Sequence, residues 1–266
     1  MILHHRITPC TSKTTRPPLI ILHGFLGSSS NWTSIANELK KDTTVYCFDL
    51  RNHGASSQSD EITYDVMASD VQETCKKMSI KNPIILGHSM GGKVAIKACT
   101  LYPKEFSGLI VADISPRYYP RLLFVETIKK LVDIDLSLFA NRQEIEKNLS
   151  HIIEDQALLR FLLKNVKIDA EKKHLTWVIP LPMLYKKRNF LKQDVIPKKP
   201  INLPAIFLKG ELSPYINEDD AKLIKEKFPQ SKLITIAAAR HWLHVENRTD
   251  LIKEVQKFIY FVDDSR

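Results

Sequence analysis

Short apolar runs alternating with stretches of helical period set the strongest limit on how this chain folds. Pro18-Leu19-Ile20-Ile21-Leu22, Val45 to Phe48, Ile84-Ile85-Leu86, Leu109-Ile110-Val111-Ala112, Ala205 to Leu208 and Leu233 to Ile236 read as strands. Their near-continuous apolar character is that of strands covered on both faces. Between them, Trp32, Ile35, Ala36 and Leu39 recur at helical spacing with Ser30 or Asn31 as the cap, and Met67, Val71, Cys75 and Met78 share one face of a second helix. Gly91 to Leu101, closed by Pro103, Glu218 to Phe228 and Leu251 to Phe261 read as further helices. The expected fold class is therefore α/β, a mostly parallel sheet with helices on both faces, binding ligands outside the carboxyl ends of its strands.

The alternation breaks after Asp113. Residues 117 to 165 read as amphipathic helices, Leu175 to Ile179 as a short extended piece, and a basic, proline-punctuated stretch runs to Pro200. The expected organisation is a core made of residues 1–115 and 201–266, with residues 116–200 inserted as a helical cap. The net charge of +9 is uneven: the insertion holds 17 Lys or Arg against 10 Asp or Glu. No basic run interleaved with aromatics accompanies this excess, so a nucleic-acid partner is not expected. No apolar run has the ~18 residues of a membrane span, and the N-terminal sequence lacks the layout of a signal peptide, so a cytoplasmic protein without stable membrane insertion is expected. Cys10, Cys47, Cys75 and Cys99 are widely spaced without a C-x-x-C pair, which suggests neither a zinc site nor a disulfide framework.

The most informative segment is Gly87-His88-Ser89-Met90-Gly91-Gly92, a G-x-S-x-G between a predicted strand and a predicted helix, where a nucleophile turn forms. The chain has only eight glycines, so the match is not a by-product of glycine-rich composition. Gly87 to Lys93 also reads G-x-x-x-x-G-K, and Leu109 to Asp113 resembles the apolar strand whose Asp helps hold magnesium in nucleotide hydrolases. Val94, standing where a Ser or Thr hydroxyl must ligate the magnesium, argues against that reading. Serine is a poor nucleophile alone and requires a histidine base, an acid that orients it, and N–H donors for the oxyanion. After the last strand comes Ala237-Ala238-Ala239-Arg240-His241-Trp242-Leu243-His244, from which His241, the first histidine after the strand, is taken as the base. His244, one helical turn on, is expected to be a structural group. A metal site on the pair lacks a third ligand. The oxyanion donors expected are the backbone N–H groups of Met90 and Phe25, and His23, His53 and His88 flank the site.

His23-Gly24-Phe25-Leu26-Gly27-Ser28, Asp49-Leu50-Arg51-Asn52-His53-Gly54, Gly87 to Gly92 and His241-Trp242-Leu243-His244-Val245-Glu246 together resemble the α/β-hydrolase superfamily over almost the whole chain. Arg-Asn-His-Gly after the early strand, with Ser213-Pro214-Tyr215 after a later one, looks like the bacterial cytosolic acyl esterase and thioesterase group related to mitochondrial abhydrolases. The resemblance implies ester or thioester hydrolysis, no cofactor, and a helical cap over the sheet. Two departures stand out: Ser213 occupies the superfamily's common acid position, and Arg240 stands where relatives usually have glycine. The acid is therefore assigned to Asp113, which closes the strand after the nucleophile helix and which the resembling subgroup also carries. Ser213 is then expected to steady the histidine, and Glu211 is the runner-up acid.

The cap supplies Tyr118, Tyr119, Leu122, Leu123, Phe124, Phe161, Leu162, Trp177, Met183 and Tyr185 as candidate pocket residues, and its charge suits an anionic leaving group such as coenzyme A. The expected function is a monomeric or weakly associated serine hydrolase of carboxylic esters or acyl thioesters, with no metal. Carbon–carbon bond hydrolysis or perhydrolysis by the same triad, and a catalytically silent ligand-binding member, are the alternatives.

Overall fold

The apolar runs all become strands of one sheet, as the computed structural model, which describes residues 1–121, 125–171 and 173–265, shows. In chain order the strands are β1 (His5–Thr8), β2 (Leu19–Leu22), β3 (Val45–Phe48), β4 (Ile84–His88), β5 (Gly108–Ala112), β6 (Val166–Ile168), β7 (Leu175–Trp177), β8 (Ala205–Gly210) and β9 (Ser231–Ile236). The helices are α1 (Thr33–Leu39), α2 (Tyr64–Lys77), α3 (Met90–Leu101), α4 (Val125–Val132), α5 (Arg142–Ser150), α6 (Gln156–Leu163), α7 (Leu181–Lys187), α8 (Glu218–Lys227), α9 (Leu243–Glu246) and α10 (Arg248–Asp264).

The main sheet has the order β1-β3-β2-β4-β5-β8-β9 and is parallel except for β1, which pairs antiparallel with β3. Sequence reading misses β1 because its four residues are half exposed and contain one apolar side chain, leaving no periodic signal. Along β2, Ile20 and Leu22 pack with Met67, Val71 and Val94 on one face, whereas Leu19 and Ile21 pack with Ile35, Leu39, Val255 and Ile259 on the other. Water is thus excluded from both faces, which is why the run lacks a polar alternation.

The cap of the first helix lies earlier than the sequence suggests. A 3₁₀ turn, Ser29–Trp32, precedes α1, and the Asn31 side chain accepts the Ser28 N–H (2.7 Å). Helix α2 starts as its residues dictate, with the Thr63 hydroxyl accepting the Val66 N–H at the N-cap. From β5 the chain leaves the sheet, forms α4 to α7 and the antiparallel pair β6–β7, and returns at β8.

Strand order reverses around β2, whose neighbours are β3 and β4. In an open parallel sheet such a reversal leaves a crevice at the carboxyl ends, because the connections on either side lead away from each other. The turn beginning at His23 leaves β2 here, and Ser89 leaves β4.

Among the described residues, no helix is long and apolar enough to cross a membrane.

Candidate active site

Ser89 sits between β4 and α3 with φ 53° and ψ −117°, a left-handed backbone that a side chain adopts only at a cost. The turn requires two residues without a β-carbon. One placed on Gly87 would collide with the Gly91 carbonyl, and one on Gly91 would come within 2.5 Å of the His23 oxygen. This close packing brings the turn after β2 against the turn that carries Ser89, with a β-carbon built on Gly24 lying 3.4 Å from that of Ser89. Phe25 belongs to the same turn, and Met90 opens α3, where the helical ladder offers its N–H no acceptor.

His241 Nε2 lies 3.0 Å from Ser89 Oγ, and His241 Nδ1 lies 2.8 Å from Asp113 Oδ2. Asp113 is fully buried and has a left-handed backbone of its own (φ 53°). Its Oδ1 accepts the Gly210 N–H (3.0 Å) and its Oδ2 accepts the Ser213 hydroxyl, which in turn accepts the Tyr215 N–H (3.3 Å). With each carboxylate oxygen held from a different side, rotation of the group is blocked. Asp113 Oδ2 can only accept, so Nδ1 of His241 carries the proton and Nε2 faces Ser89 as an acceptor. Glu211, the runner-up acid, instead accepts the Ala238 N–H (2.8 Å) and is exposed.

The remaining histidines have separate places. His88 Nε2 donates to the His241 carbonyl (2.8 Å) and so pins the backbone of the histidine that faces Ser89. His23 accepts the Leu50 N–H at Nε2 (3.0 Å) and donates from Nδ1 to the Gly24 carbonyl (2.8 Å), fixing the turn next to Ser89. His244 stacks flat on Trp32, ring centroids 4.6 Å apart. His53 lies edge-on to Phe25 (5.6 Å). The Arg51-Asn52-His53-Gly54 segment that carries the subgroup resemblance is a buried brace: Arg51 forms a two-pronged pair with Asp70 (2.7 and 2.9 Å). At Arg240 the loop's left-handed residue is Ala238 (φ 53°), and the Arg240 N–H donates to Glu246 (2.7 Å), so the position tolerates a side chain.

Burial lowers the affinity of His23, His53, His88 and His244 for protons, with His53 and His244 brought down to about 3. The unfolded chain binds these protons near 6.5, so the fold gains stability from them above that pH and loses it as the pH falls toward 3. Thermal unfolding is expected to show Tm dropping steadily between pH 6.5 and about 4. A Tm that stays level across that interval contradicts the neutral cluster.

Ser89 opens onto a cavity of about 200 Å³. Ile128, Leu158, Phe161 and Leu162 of the inserted segment line it opposite Trp32 and Trp242. Phe161 and Leu162 were among the expected pocket residues. Trp177, Met183 and Tyr185 pack against the core instead, Tyr118 is exposed, and Leu122, Leu123 and Phe124 lie outside the described residues. Two contacts were not legible from sequence. The Tyr215 ring stacks on His241, centroids 4.0 Å apart, and Asn165, buried after α6, donates to the Leu26 carbonyl (2.8 Å), tying the insertion to the turn that carries Phe25. Both join residues far apart in the chain; Asn165 belongs to no motif, and the Ser213-Pro214-Tyr215 motif gives no sign that the Tyr215 ring meets His241.

Residues 17–248 match the family described as alpha/beta hydrolase fold. A putative esterase/lipase of Haemophilus influenzae is 29% identical over 258 residues, covering 97% of this chain and 88% of the relative. The sn-1-specific diacylglycerol lipase ABHD11 of Xenopus tropicalis is 32% identical over 250 residues, covering 91% and 78%. Among solved structures, a marine microorganism esterase superposes with a TM-score of 0.91 at 41% identity, covering 97% of this chain and 99% of its own.

Proposed function

The chain belongs to the alpha/beta hydrolase fold family, and from that premise we propose that it hydrolyses carboxylic esters with Ser89 as nucleophile, His241 as base and Asp113 as orienting acid. The observation that carries this reading is the unbroken relay from Asp113 through His241 to Ser89, at 2.8 and 3.0 Å, opening onto an apolar cavity. Ser89 Oγ bonds to the acyl carbon while its proton passes to His241 Nε2. The carbonyl oxygen becomes an oxyanion held by the Phe25 and Met90 N–H groups. As the C–O bond to the alcohol breaks, His241 returns the proton to the departing oxygen. Water then attacks the acyl-enzyme, giving its proton to the same nitrogen, and the acid leaves with Ser89 restored. Asp113 keeps the imidazole in the required tautomer throughout and stabilises its charged form. Ser213, His23 and His88 hold the participating groups in place and touch no reacting atom.

The inserted segment acts in this reading as the cap, and the cavity beneath it sets the substrate. A volume of about 200 Å³ lies below the ~300–1,000 Å³ of pockets that take drug-sized ligands, which suits short to medium acyl chains. Asp155 is the one carboxylate or basic side chain, histidines aside, among the described residues lining it, which places neutral esters ahead of coenzyme A thioesters. Across p-nitrophenyl esters, kcat/KM is expected to peak between butyrate and octanoate and to fall by at least about tenfold at palmitate, through overfilling of the cavity. Activity highest on palmitate, or confined to acyl thioesters, contradicts this substrate assignment.

A further inference from the structure

Lys93 is the lysine of the discarded nucleotide-binding pattern, and the ester reaction makes no use of it. It lies on α3, one helical turn after Ser89, with only 1% of its surface exposed. An amino group so deeply buried requires hydrogen-bond partners, since burial weakens its hold on its proton and a buried donor left unpaired is costly. Its hydrogen-bond acceptors are two backbone carbonyls from opposite ends of the inserted segment: Arg117 (2.9 Å), on the way out of the sheet, and Gln193, on the way back. These two stretches also pair with each other. The Tyr119 N–H donates to the Lys192 carbonyl (2.8 Å) and the Val195 N–H to the Pro116 carbonyl (2.7 Å). The insertion therefore joins the core through a neck of two hydrogen-bonded chain segments, and the Lys93 amino group bridges both of them to α3.

The neck leads on to the reaction centre. The Tyr119 ring lies under the Lys93 ammonium (4.8 Å), and its hydroxyl donates to the Tyr215 carbonyl (2.6 Å). Tyr215 is the residue whose ring stacks on His241. Lys93, Tyr119, Tyr215 and Ser89 also line one small cavity of about 20 Å³, which shares Phe25, Ser89 and Tyr215 with the larger one. A shift of the neck is thus felt both by the cap that roofs the acyl cavity and by the ring that supports the base.

We propose that Lys93 is a positioning residue that clamps the neck of the cap to the nucleophile helix and so sets the width of the acyl cavity and the seat of Tyr215 against His241. The proposal rests on the reading of Ser89 as an esterase nucleophile beneath a cap. Lys93→Met keeps the aliphatic stem and removes both donors. Hydrogen exchange is expected to rise by about tenfold or more at residues 116–119 and 192–195, with α3 and the main sheet unchanged, as for loss of a charge-assisted bond. The loss in kcat/KM is expected to be about tenfold greater for octanoate than for acetate esters, because only the longer chain depends on cap position. A uniform rise in exchange, an unchanged neck, or an equal loss for both esters overturns the proposal. If Lys93→Met does not fold, Tyr119→Phe decides, since it keeps the ring but cuts the link to Tyr215: a raised KM for octanoate supports the clamp and an unchanged KM overturns it. A wild-type protein that cleaves no ester refutes the esterase reading, while the exchange measurement still judges the clamp by itself.

Discussion

Asp113→Asn is expected to lower kcat on the order of 10⁴-fold, as loss of the orienting carboxylate does in other serine triads, with KM for a neutral ester nearly unchanged. The geometry gives the reason. Gly210 donates to Oδ1, so an asparagine seated to keep that bond presents its amide NH₂ to His241 and Ser213. His241 Nδ1 must then accept, its proton moves to Nε2, and the nitrogen facing Ser89 loses its capacity to take a proton. The opposite rotamer restores the tautomer but sets two N–H donors, the amide and Gly210, against each other in a fully buried place. Glu211→Gln is the control, because Glu211 holds an exposed loop N–H, and its kcat is expected to stay within about twofold, as for surface changes remote from the site. Steady-state rates on p-nitrophenyl butyrate separate the two, and the reverse ranking moves the acid to Glu211.

Ser89→Ala is expected to remove ~10⁶-fold of the turnover, the scale found when a triad serine is deleted, while leaving the fold intact. Serine is often retained at a helix N-cap for stability, and such a replacement then costs about 1 kcal/mol. Here the Ser89 side chain makes no capping hydrogen bond to α3. Its oxygen points to His241 instead, so its loss removes chemistry and not the cap. Alanine also retains the β-carbon at a backbone whose left-handed strain is already borne by the fit of Gly87 against Gly91. Activity and Tm measured on the same preparation should therefore part company, the first collapsing and the second staying near the wild-type value. Loss of both together would make Ser89 a structural residue.

The elements most legible in the sequence are those whose environment is set by their own composition. β2, β4 and β5 read plainly because sequestration on both faces demands uninterrupted apolar residues. β1 does not, since an edge strand half open to solvent carries no such demand. The true start of the first helical segment depends on Asn31 reaching back to Ser28, a contact that several polar residues in a row could equally have made. At the candidate site, Ser89 is marked by the glycines its turn requires, and His241 and Asp113 by their places after strands. Tyr215, Asn165 and Lys93 owe their roles to partners 24 to 139 residues away in the chain. Nothing in local spacing reveals such pairings; only the folded topology brings the partners together.

The central claim, a nucleophilic oxygen on Ser89 activated by His241, is tested most directly by reacting the protein with a fluorophosphonate and mapping the adduct by peptide mass spectrometry. The account predicts a single adduct on the peptide containing Ser89, absent in Ser89→Ala and formed far more slowly in His241→Gln. An adduct on another residue, or equal labelling of the His241→Gln protein, would contradict it.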